Sequence, residues 1–365
     1  MLYLGIDQHS KQLTVDLGNE AGEMVLHRRV KTEWESLRTF LEEVQVRSEE
    51  EGGFMACVEV CGFNDYLLKE LQRFGCQEIV LVQPPKRQPH KTDRRDARAL
   101  RDLLWIHRQA LQAGKRLPGI RRVRLCTAEE AAQRQITSLR RRLGKLRTQT
   151  LNRIHRIIRK HNLQHVCPTK AIDTRKARAW LVDLSLPGVD RLELDILLEE
   201  WGAIETHLKR VSANIEKQHK RCKNAQILAS IPGMHCYSSL AVSSRIGDPH
   251  DFARGSSLAN FVGLTPGCNS TGDQRRIGSI TKQGSSMVRF ILGQITQHVL
   301  RKDAWMKRWY SQIKRRRGAK IARVAVMRRL MTIIWAMLKH EMPYIRGGPE
   351  AFRRQMELCQ QLGVT

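Results

Sequence analysis

Two carboxylates, three residues apart, lie in a strongly basic stretch and are the first candidates for chemistry. The stretch 91–100 reads KTDRRDARAL, so Asp93 and Asp96 stand among arginines. Thr92 is a favoured N-cap residue type, and the apolar spacing after it predicts a helix. Residues i and i+3 share one face of a helix. The two carboxylates are therefore expected to project together.

This close pair of acids has two interpretations. Two negative charges at such spacing repel each other unless something neutralises them. Arg94, Arg95 and Arg98 can do so on a solvated helix face. A divalent ion can also do so, because Mg²⁺ and Mn²⁺ prefer oxygen ligands. The pair alone favours the solvated face, so the metal hypothesis depends on further acids.

Two further acids follow apolar segments that read as strands. Asp7 follows Leu2–Ile6, and Glu59 lies near the end of Phe54–Val60. Strand ends gather at one edge of an open sheet, where a buried carboxylate is costly unless it coordinates something. With the helix pair, four acids can surround two Mg²⁺ or Mn²⁺ ions, the arrangement that displaces phosphodiester bonds. The alternatives are a turn-capping Asp7 and an exposed Glu59.

The elements that must position these acids follow from hydrophobic periodicity. The expected order over residues 1–118 is β-β-β-α-β-α-β-α, with Asn64 as the cap of the second helix. The expected strands cover 2–7, 13–17, 24–30, 54–60 and 78–83, and the expected helices cover 33–46, 64–74 and the segment from Asp93. An actin-like sugar-kinase fold opens similarly but needs a glycine after its first acid to cradle phosphate. Residues 8–11 contain none, which disfavours that fold.

The charge of the chain points to a polyanionic partner. The 365 residues carry a net charge of +28. Residues 1–60 are acidic, with six Lys and Arg against twelve Asp and Glu. Residues 120–160 carry thirteen basic residues against two acidic ones, and residues 301–330 carry twelve against one. A surplus concentrated in this way predicts dedicated nucleic-acid-binding surfaces.

The nine cysteines are scattered and contain no CxxC pair. An odd count at irregular spacing argues against a disulfide framework and against a zinc ribbon, and it predicts reduced thiols. The sequence shows neither a signal peptide nor an apolar run of about 18 residues. The protein is therefore expected to be cytoplasmic.

Two long helices are predicted in the middle of the chain. The first, 128–161, has an apolar seam on a basic helix, and the second, 191–223, has mixed charge. Together they predict an antiparallel coiled-coil arm or, equally, a helical-bundle segment of the core. The first helix is expected to dock along a phosphate backbone, with a solvated face as the alternative. The candidate contacts are Arg140, Arg141 and Arg142.

The last third of the chain begins with a helix–Pro-Gly–helix pattern. Residues 230–233 read SIPG, which indicates either a helix-hairpin-helix that contacts phosphate or a tight turn in the core. The basic run 314–317 leads into a last apolar helix at 321–338. Arg315, Arg316 and Arg317 of this run are further candidates for nucleic-acid binding.

Residues 264–284 are predicted to form a phosphate-binding loop. They are rich in glycine, hydroxyl and basic residues. A hydroxyl held beside arginines near a phosphate can act as a nucleophile, and Ser270 and Thr271 are the two candidates. The cations expected to contact nucleic acid are Arg275, Arg276 and Lys282.

Taken in order, these motifs resemble those of the DEDD-type insertion-sequence transposases, also called bridge-RNA-guided or seeker-RNA-guided recombinases. The first region carries GID at 5–7, VE at 58–59 and KTDRRDA at 91–97. The last region carries SIPG at 230–233, GLTP at 263–266, and STG at 270–272 before RRIGSITK at 275–282. Each motif is weak alone, but the ordered set is specific, and it covers nearly the whole chain.

The resemblance implies a domain organisation. It predicts an α/β RuvC-like, ribonuclease-H-type domain at 1–118 and a basic helical, coiled-coil arm at 119–224. A mainly α C-terminal transposase domain is expected at 225–345, with the helix-hairpin-helix-like segment and a catalytic serine loop. Residues 346–365 are expected to be a tail.

The resemblance also implies a reaction and its partners. The metal-binding acids are expected to be Asp7, Glu59, Asp93 and Asp96, with Mg²⁺ or Mn²⁺. A serine attacks the scissile phosphate and forms a phosphoserine link. Ser270 is the expected nucleophile because a primary hydroxyl is less hindered, and Thr271 is the alternative. Arg94 and Arg95 would then hold the phosphate backbone against the metals.

The expected partners are a guide RNA, the donor and target double-stranded DNAs, and further copies of the chain in a dimer or tetramer. The acids of one subunit and the serine of another would form a composite site. Two other functions remain open. One is a metal-dependent, structure-specific nuclease resembling a junction resolvase, which uses water as nucleophile. The other is a non-catalytic nucleic-acid-binding protein.

Overall fold

The computed structural model describes residues 1–83, 93–113, 122–271 and 274–361, and it divides into two compact units. Unit one is Met1–Leu125 and unit two is Cys126–Thr365. Side chains are described throughout these ranges except at positions 93–95, 112, 268–271, 274–277, 359 and 360. The finer division of the chain into four parts stays a prediction.

Unit one contains the predicted succession of strands and helices. The order β-β-β-α-β-α-β-α is confirmed, and a short helix and a short strand follow it. The elements are β1 (Leu2–Gln8), β2 (Gln12–Gly18), β3 (Met24–Lys31), α1 (Trp34–Glu50), β4 (Phe54–Glu59), α2 (Asp65–Arg73), β5 (Glu78–Val82), α3 (Asp93–Ile106), α4 (Arg108–Gln112) and β6 (Arg122–Val123).

The sheet of unit one is mixed and covered on both faces. Its order is β3-β2-β1-β4-β5-β6, with β1, β4 and β5 parallel and the other pairings antiparallel. Leu4 and Ile6 of β1 pack on the side of α1 and α2, whereas Tyr3 packs on the side of Leu100 and Leu104 of α3. Successive residues of a strand point to opposite faces. Because both faces are buried, β1 is apolar along its length, and the predicted α/β class is confirmed.

Unit two is mostly helical. Its elements are α5 (Ala128–Lys160), α6 (Arg175–Asp183), α7 (Gly188–Arg221), α8 (Lys223–Ala229), α9 (Cys236–Ile246), α10 (Gly255–Phe261), β7 (Pro266–Thr271), β8 (Gln274–Ile280), α11 (Ser286–Lys302), α12 (Ala304–Lys339) and α13 (Pro349–Gln361). α13 lies within the segment expected to be a tail. α12 begins earlier than the predicted helix at 321, and it is broken at Gly318, whose φ is 81°.

The two long helices predicted in the middle of the chain are confirmed, and they pack antiparallel. Lys160 Nζ lies 2.7 Å from Asp190 Oδ2, while Arg147 Nε lies 2.5 Å from Glu205 Oε1, so the end of α5 meets the start of α7. Apolar residues of both helices and of the segment between them, including Ile157, form a core beneath these ion pairs. The coiled-coil geometry of this pair stays a prediction.

The prediction of a loop at 264–284 is wrong, because most of this segment forms a β-hairpin. β7 and β8 pair antiparallel, and Thr271 pairs with Gln274, so two residues connect the strands. Those residues are Gly272 and Asp273, a dipeptide type typical of two-residue hairpin connections. The glycine-rich composition concealed this local signal.

Two further expectations concern the whole chain. The seven cysteines with described side chains are all free thiols, in agreement with the predicted reduced state. Within the described ranges, no helix is both long enough and apolar enough to cross a bilayer.

Candidate active site

The two strand-end acids are neighbours in the sheet. The parallel register pairs Ile6 of β1 with Val58 of β4, so Asp7 and Glu59 occupy the next position on each strand. Both lie on the face of the sheet that α3 covers, because they share the alternation of Tyr3. Asp7 is only 6% exposed and Glu59 is half-buried.

α3 crosses this face at Gly5. A Cβ at Gly5 would lie 2.1 Å from Ala97 O and 2.5 Å from Arg101 N, so only glycine permits this approach. The helix backbone therefore rests directly on β1, two residues before Asp7. This close contact explains the glycine that precedes the acid in the sequence.

α3 points its first turn toward the strand-end acids. Trp105, near its other end, donates its Nε1–H to a backbone carbonyl in the turn between β2 and β3, over 2.9 Å. That turn follows Gly18, which pairs with Tyr3 at the start of β1. Asp7 lies at the opposite end of β1, so the first turn of α3, with Asp96, lies on the Asp7 side. The first turn of α3 therefore lies on the side of the sheet where β1 and β4 end in Asp7 and Glu59.

A buried ion network fixes α3 in this position. The Arg101 side chain is almost fully buried, with Nη1 2.7 Å from Asp16 Oδ1 on β2 and Nη2 2.5 Å from Asp102 Oδ1. The other oxygen of Asp16 lies 2.9 Å from His27 Nδ1 on β3. Sequence reasoning missed this network. The available signal was Asp16 itself, an acid inside an otherwise apolar strand that required a partner.

Asn64 stabilises the loop that follows the acids rather than capping α2 with its side chain. It stands at the N-cap position but makes no side-chain capping bond. Its Nδ2 donates to Gln8 Oε1 over 2.7 Å and to Glu59 O over 3.0 Å, and its Oδ1 accepts from Cys61 N. This buried amide therefore ties the ends of β1 and β4 together. The predicted N-cap position is confirmed, but the side chain does not cap the helix, because the strand ends offer it polar partners instead.

The predicted acids carry donor atoms of the kind that suits a divalent cation. Asp7, Glu59 and Asp96 offer carboxylate oxygens, the ligands that Mg²⁺ and Mn²⁺ take. Among the residues with described side chains, no three or more His, Cys, Asp or Glu are grouped closely enough to hold a metal. The Asp93 carboxylate lies outside that set, as do the side chains of Arg94 and Arg95. Metal binding by the four acids therefore stays a prediction.

The two candidate nucleophiles lie at the end of β7, in unit two. The hairpin register pairs Ser270 with Arg275 and Thr271 with Gln274. Asn269 pairs with Arg276 in the same register. The side chains of these residues lie outside the described set, so the backbone alone places them. It sets Ser270, rather than Thr271, opposite an arginine.

The base of the hairpin is held by close backbone contacts. A Cβ at Gly263 would lie 2.0 Å from Gln283 O, and a Cβ at Gly284 would lie 2.0 Å from Phe261 O. Both glycines have positive φ, which favours glycine for a second reason. Arg289 of α11 donates from Nη1 to Gln283 O and Gly284 O, over 3.1 and 3.2 Å. Sequence reasoning had missed Arg289.

The remaining predicted nucleic-acid contacts lie on the surface of unit two. Lys282 is exposed at the base of the hairpin, with a left-handed φ of 55°. Arg142 is exposed on α5, and Arg140 and Arg141 are half-buried there. The three arginines of the 314–317 run are exposed on α12, just before its break.

The Pro-Gly turn fits the structural alternative better than a phosphate site. Gly233 has φ 84°, and a Cβ there would lie 2.6 Å from the Cβ of His298 on α11. The neighbouring Ile231 and Met234 are buried in the core of unit two. The turn between α8 and α9 therefore packs against the core.

The chain is similar in sequence to proteins that are described as transposases. Residues 225–311 match the family model described as "Transposase IS116/IS110/IS902 family". This segment contains the Pro-Gly turn, the hairpin and α11. The chain is therefore similar, over residues 225–311, to transposases of this family.

Similarity to individual transposases extends over most of the chain. The "Probable family 20 transposase" of Pseudomonas aeruginosa is 27% identical over 308 residues, which cover 80% of this chain and 86% of that protein. The "Transposase for insertion sequence element IS1111A" of Coxiella burnetii is 28% identical over 320 residues, with 80% of each chain covered. The "Transposase for insertion sequence element IS1328" of Yersinia enterocolitica is 18% identical, with 78% and 83% covered.

Proposed function

We propose that this protein is a transposase that moves an insertion sequence by cleaving and rejoining DNA. Two observations carry the proposal: the acids Asp7 and Glu59 lie at neighbouring strand ends, and the chain is similar to named transposases over 80% of its length. The basic surface of unit two suits a DNA partner. The mixed sheet and its strand-end acids support a RuvC-like assignment for unit one.

The four acids would hold Mg²⁺ or Mn²⁺. When bound, such ions stabilise the attacking and leaving oxygens of a phosphodiester displacement. The chain's own contribution is the alignment of the acids. Gly5 permits α3 to rest on β1, and Arg101 anchors that helix to Asp16. Asn64 ties together the two strands that carry Asp7 and Glu59.

Ser270 is the proposed nucleophile. Its Oγ would attack the scissile phosphorus, forming a phosphoserine bond as the P–O bond to one DNA strand breaks and the leaving oxygen takes up a proton. A DNA hydroxyl would then attack the same phosphorus and release the serine. The primary hydroxyl and the register opposite Arg275 support Ser270 over Thr271.

A guide RNA and self-association complete the proposal. The resemblance of the motifs to RNA-guided recombinases supports an RNA that pairs with donor and target DNA. It also supports a dimer or tetramer in which acids of one subunit act with Ser270 of another. The net charge of +28 provides for more than one nucleic-acid partner.

Trapping of a covalent intermediate tests this proposal. Purified protein is incubated with co-purified RNA, labelled donor and target DNA, and Mg²⁺, then denatured with detergent. The expected result is a protein–DNA adduct that is lost in Ser270→Ala and kept in Thr271→Ala. An adduct lost only in Thr271→Ala would move the nucleophile by one residue. Cleavage without any adduct would contradict the phosphoserine step.

The second candidate function is a structure-specific nuclease. It is supported by the position of all four predicted acids within the residues of unit one, so water could replace the serine. Cleavage of branched DNA by Ser270→Ala, at the rate of the unsubstituted protein, would support it. A non-catalytic binding protein would instead retain every measurable property in Asp93→Ala except salt-dependent affinity.

A further inference from the structure

A groove in unit two is lined by cations that form no ion pair with the described acidic side chains. It measures about 1070 Å³ and lies between α5, α9 and the N-terminus of α11. Five of its lining residues are the cations Arg140, Arg141, Arg142, Lys145 and Arg245. Among the described residues no acidic side chain forms an ion pair with any of them, whereas the nearby Arg147 has two such partners.

Arg245 is a fixed cation within this groove. Its Nη1 donates to Thr137 Oγ1 and Ala241 O, both over 3.0 Å, and its Nη2 donates to Ser138 Oγ over 2.8 Å. These acceptors are neutral, so they position the guanidinium without cancelling its charge. Burial, reinforced by the nearby Arg134, lowers the pKa of Arg245 to about 10, so the group stays charged at neutral pH. A half-buried positive charge without a counterion favours a negatively charged ligand.

Two further arginines of the groove lie over aromatic rings. The Arg141 guanidinium lies 5.0 Å from the ring centroid of Phe290 on α11. The Arg140 guanidinium lies 4.3 Å from the ring centroid of Tyr237 on α9. Phe290 is 45% exposed, so its ring is accessible at the rim of the groove. Exposed rings and guanidinium planes are the surfaces on which unpaired bases stack.

We propose that this groove binds a single-stranded segment of nucleic acid, with phosphates at the cations and a base against Phe290 and Arg141. A duplex keeps the faces of its bases within the stack, so it would use only the cations. The volume exceeds that of most small-molecule sites, which fits a strand better than one nucleotide. The inference rests on the proposed function for its view that nucleic acid is the ligand. RNA and DNA single strands share this chemistry.

Binding measurements on the full chain test the groove. Fluorescence anisotropy is recorded with a labelled RNA strand, a DNA strand of the same sequence and the matching DNA duplex, in EDTA so that no cleavage occurs. Phe290→Leu keeps the apolar bulk but removes the ring. It is expected to weaken single-strand binding about 5- to 100-fold and duplex binding less than about twofold. Phe290→Trp is expected to retain single-strand binding.

Arg141→Ala and a matched control complete the test. Arg141→Ala is expected to weaken single-strand binding. The slope of the logarithm of the binding constant against the logarithm of the salt concentration should become shallower by about one. Arg159→Ala removes an exposed arginine of α5 outside the groove and is expected to leave the single-strand preference unchanged. Circular dichroism confirms that each variant is folded.

The binding measurements distinguish results that support the groove from results that overturn it. Stronger loss for RNA or for DNA identifies which strand is bound, and either supports the groove. Equal losses for duplex and single strand in Phe290→Leu, or no loss for the single strand, would overturn it. The adduct assay reports independently on the transposase proposal, because a protein without an adduct can still show the Phe290 effect, and the reverse also holds.

Discussion

Two buried or half-buried arginines, one in each unit, differ in what surrounds them. Arg101 in unit one is 4% exposed and contacts the carboxylates of Asp16 and Asp102. Arg245 in unit two is half-buried and contacts only neutral oxygens, beside the cation Arg134. The first charge is balanced inside the protein, and the second is not.

This difference separates a positioning role from a binding role. A buried charge that is paired internally fixes the elements that carry its partners, and here it fixes α3 against β2. A charge held in place without a counterion remains available to a ligand. The same contrast holds along the chain, because residues 1–60 are acidic and residues 120–160 are strongly basic. In the proposed function, unit one would therefore align the acids, and unit two would hold nucleic acid.

Loss of the Asp7 carboxylate is expected to have the largest effect. Asp7→Asn removes one ligand of the proposed metal site while keeping the size of a nearly buried side chain. Strand cleavage is expected to fall roughly 100-fold or more, since loss of even an indirect metal partner costs 10- to 100-fold. Gel-based cleavage assays with Mg²⁺ measure the change.

The control for this variant is Glu42→Gln, which removes an exposed carboxylate from α1. Its cleavage rate is expected to stay within about twofold of that of the unsubstituted protein. A normal cleavage rate in Asp7→Asn would show that the acid cluster does not take part in the reaction. The proposed assignment of catalysis to unit one and of nucleic-acid binding to unit two would then fail.

Removal of the two compared arginines should affect different properties. Arg101→Met leaves Asp16 without its closest cation and is expected to cost about 3–5 kcal/mol of the stability of unit one. Arg245→Met leaves only neutral acceptors unpaired, so the expected cost for unit two is about 1–3 kcal/mol. Hydrogen exchange of amides in β1 and in α9 reports on the two units separately.

Their effects on nucleic-acid affinity should have the opposite order. Arg245→Met is expected to weaken binding of single-stranded oligonucleotides, whereas Arg101→Met should leave this binding unchanged under conditions in which unit one stays folded. Equal destabilisation by both substitutions would remove the distinction between internally paired and unpaired arginines.

The pair of long helices provides the smallest expected effect. Arg147 donates to Glu205 and thereby lowers the pKa of that carboxyl. Because the folded-state pKa lies below the unfolded value of 4.5, the stabilisation is present above pH 4.5 and is lost as the pH falls through the folded pKa. Glu205→Gln should therefore cost less than about 1 kcal/mol at pH 7, since the pair is partly exposed.

Thermal unfolding of both proteins between pH 7 and pH 3 checks this expectation. The difference between Glu205→Gln and the unsubstituted chain should shrink as the pH falls. A difference that grows toward low pH would mean that the ion pair does not stabilise the α5–α7 contact.

The sequence was sufficient wherever periodicity and local chemistry agreed. The strands around Asp7 and Glu59 were predicted because apolar runs of that length, ending in acids, have few alternatives in an α/β fold. The long helices were predicted from their apolar spacing, and the first of them, α5, also begins with a capping box in which Thr127 accepts from Glu130 N. Such signals lie within a few residues of one another.

The missed features depend on contacts between distant residues. Arg101 looked like one more arginine of a basic helix, and only its approach to Asp16 on β2 reveals its role. Asn64 occupies the expected N-cap position of α2, but local spacing cannot show that the ends of β1 and β4 lie beside it and bind its side chain. The groove at Phe290 is lined by residues of three helices, so no single segment of the sequence predicts it.

Anomalous diffraction tests most directly whether the four acids of unit one bind divalent metal. Crystals of the full chain are soaked in MnCl₂, and data are collected near the manganese absorption edge. We expect manganese peaks about 2.1 Å from carboxylate oxygens of Asp7, Glu59, Asp93 and Asp96. This expectation is contradicted if no peak appears there and the helix acids are paired only with Arg94, Arg95 or Arg98.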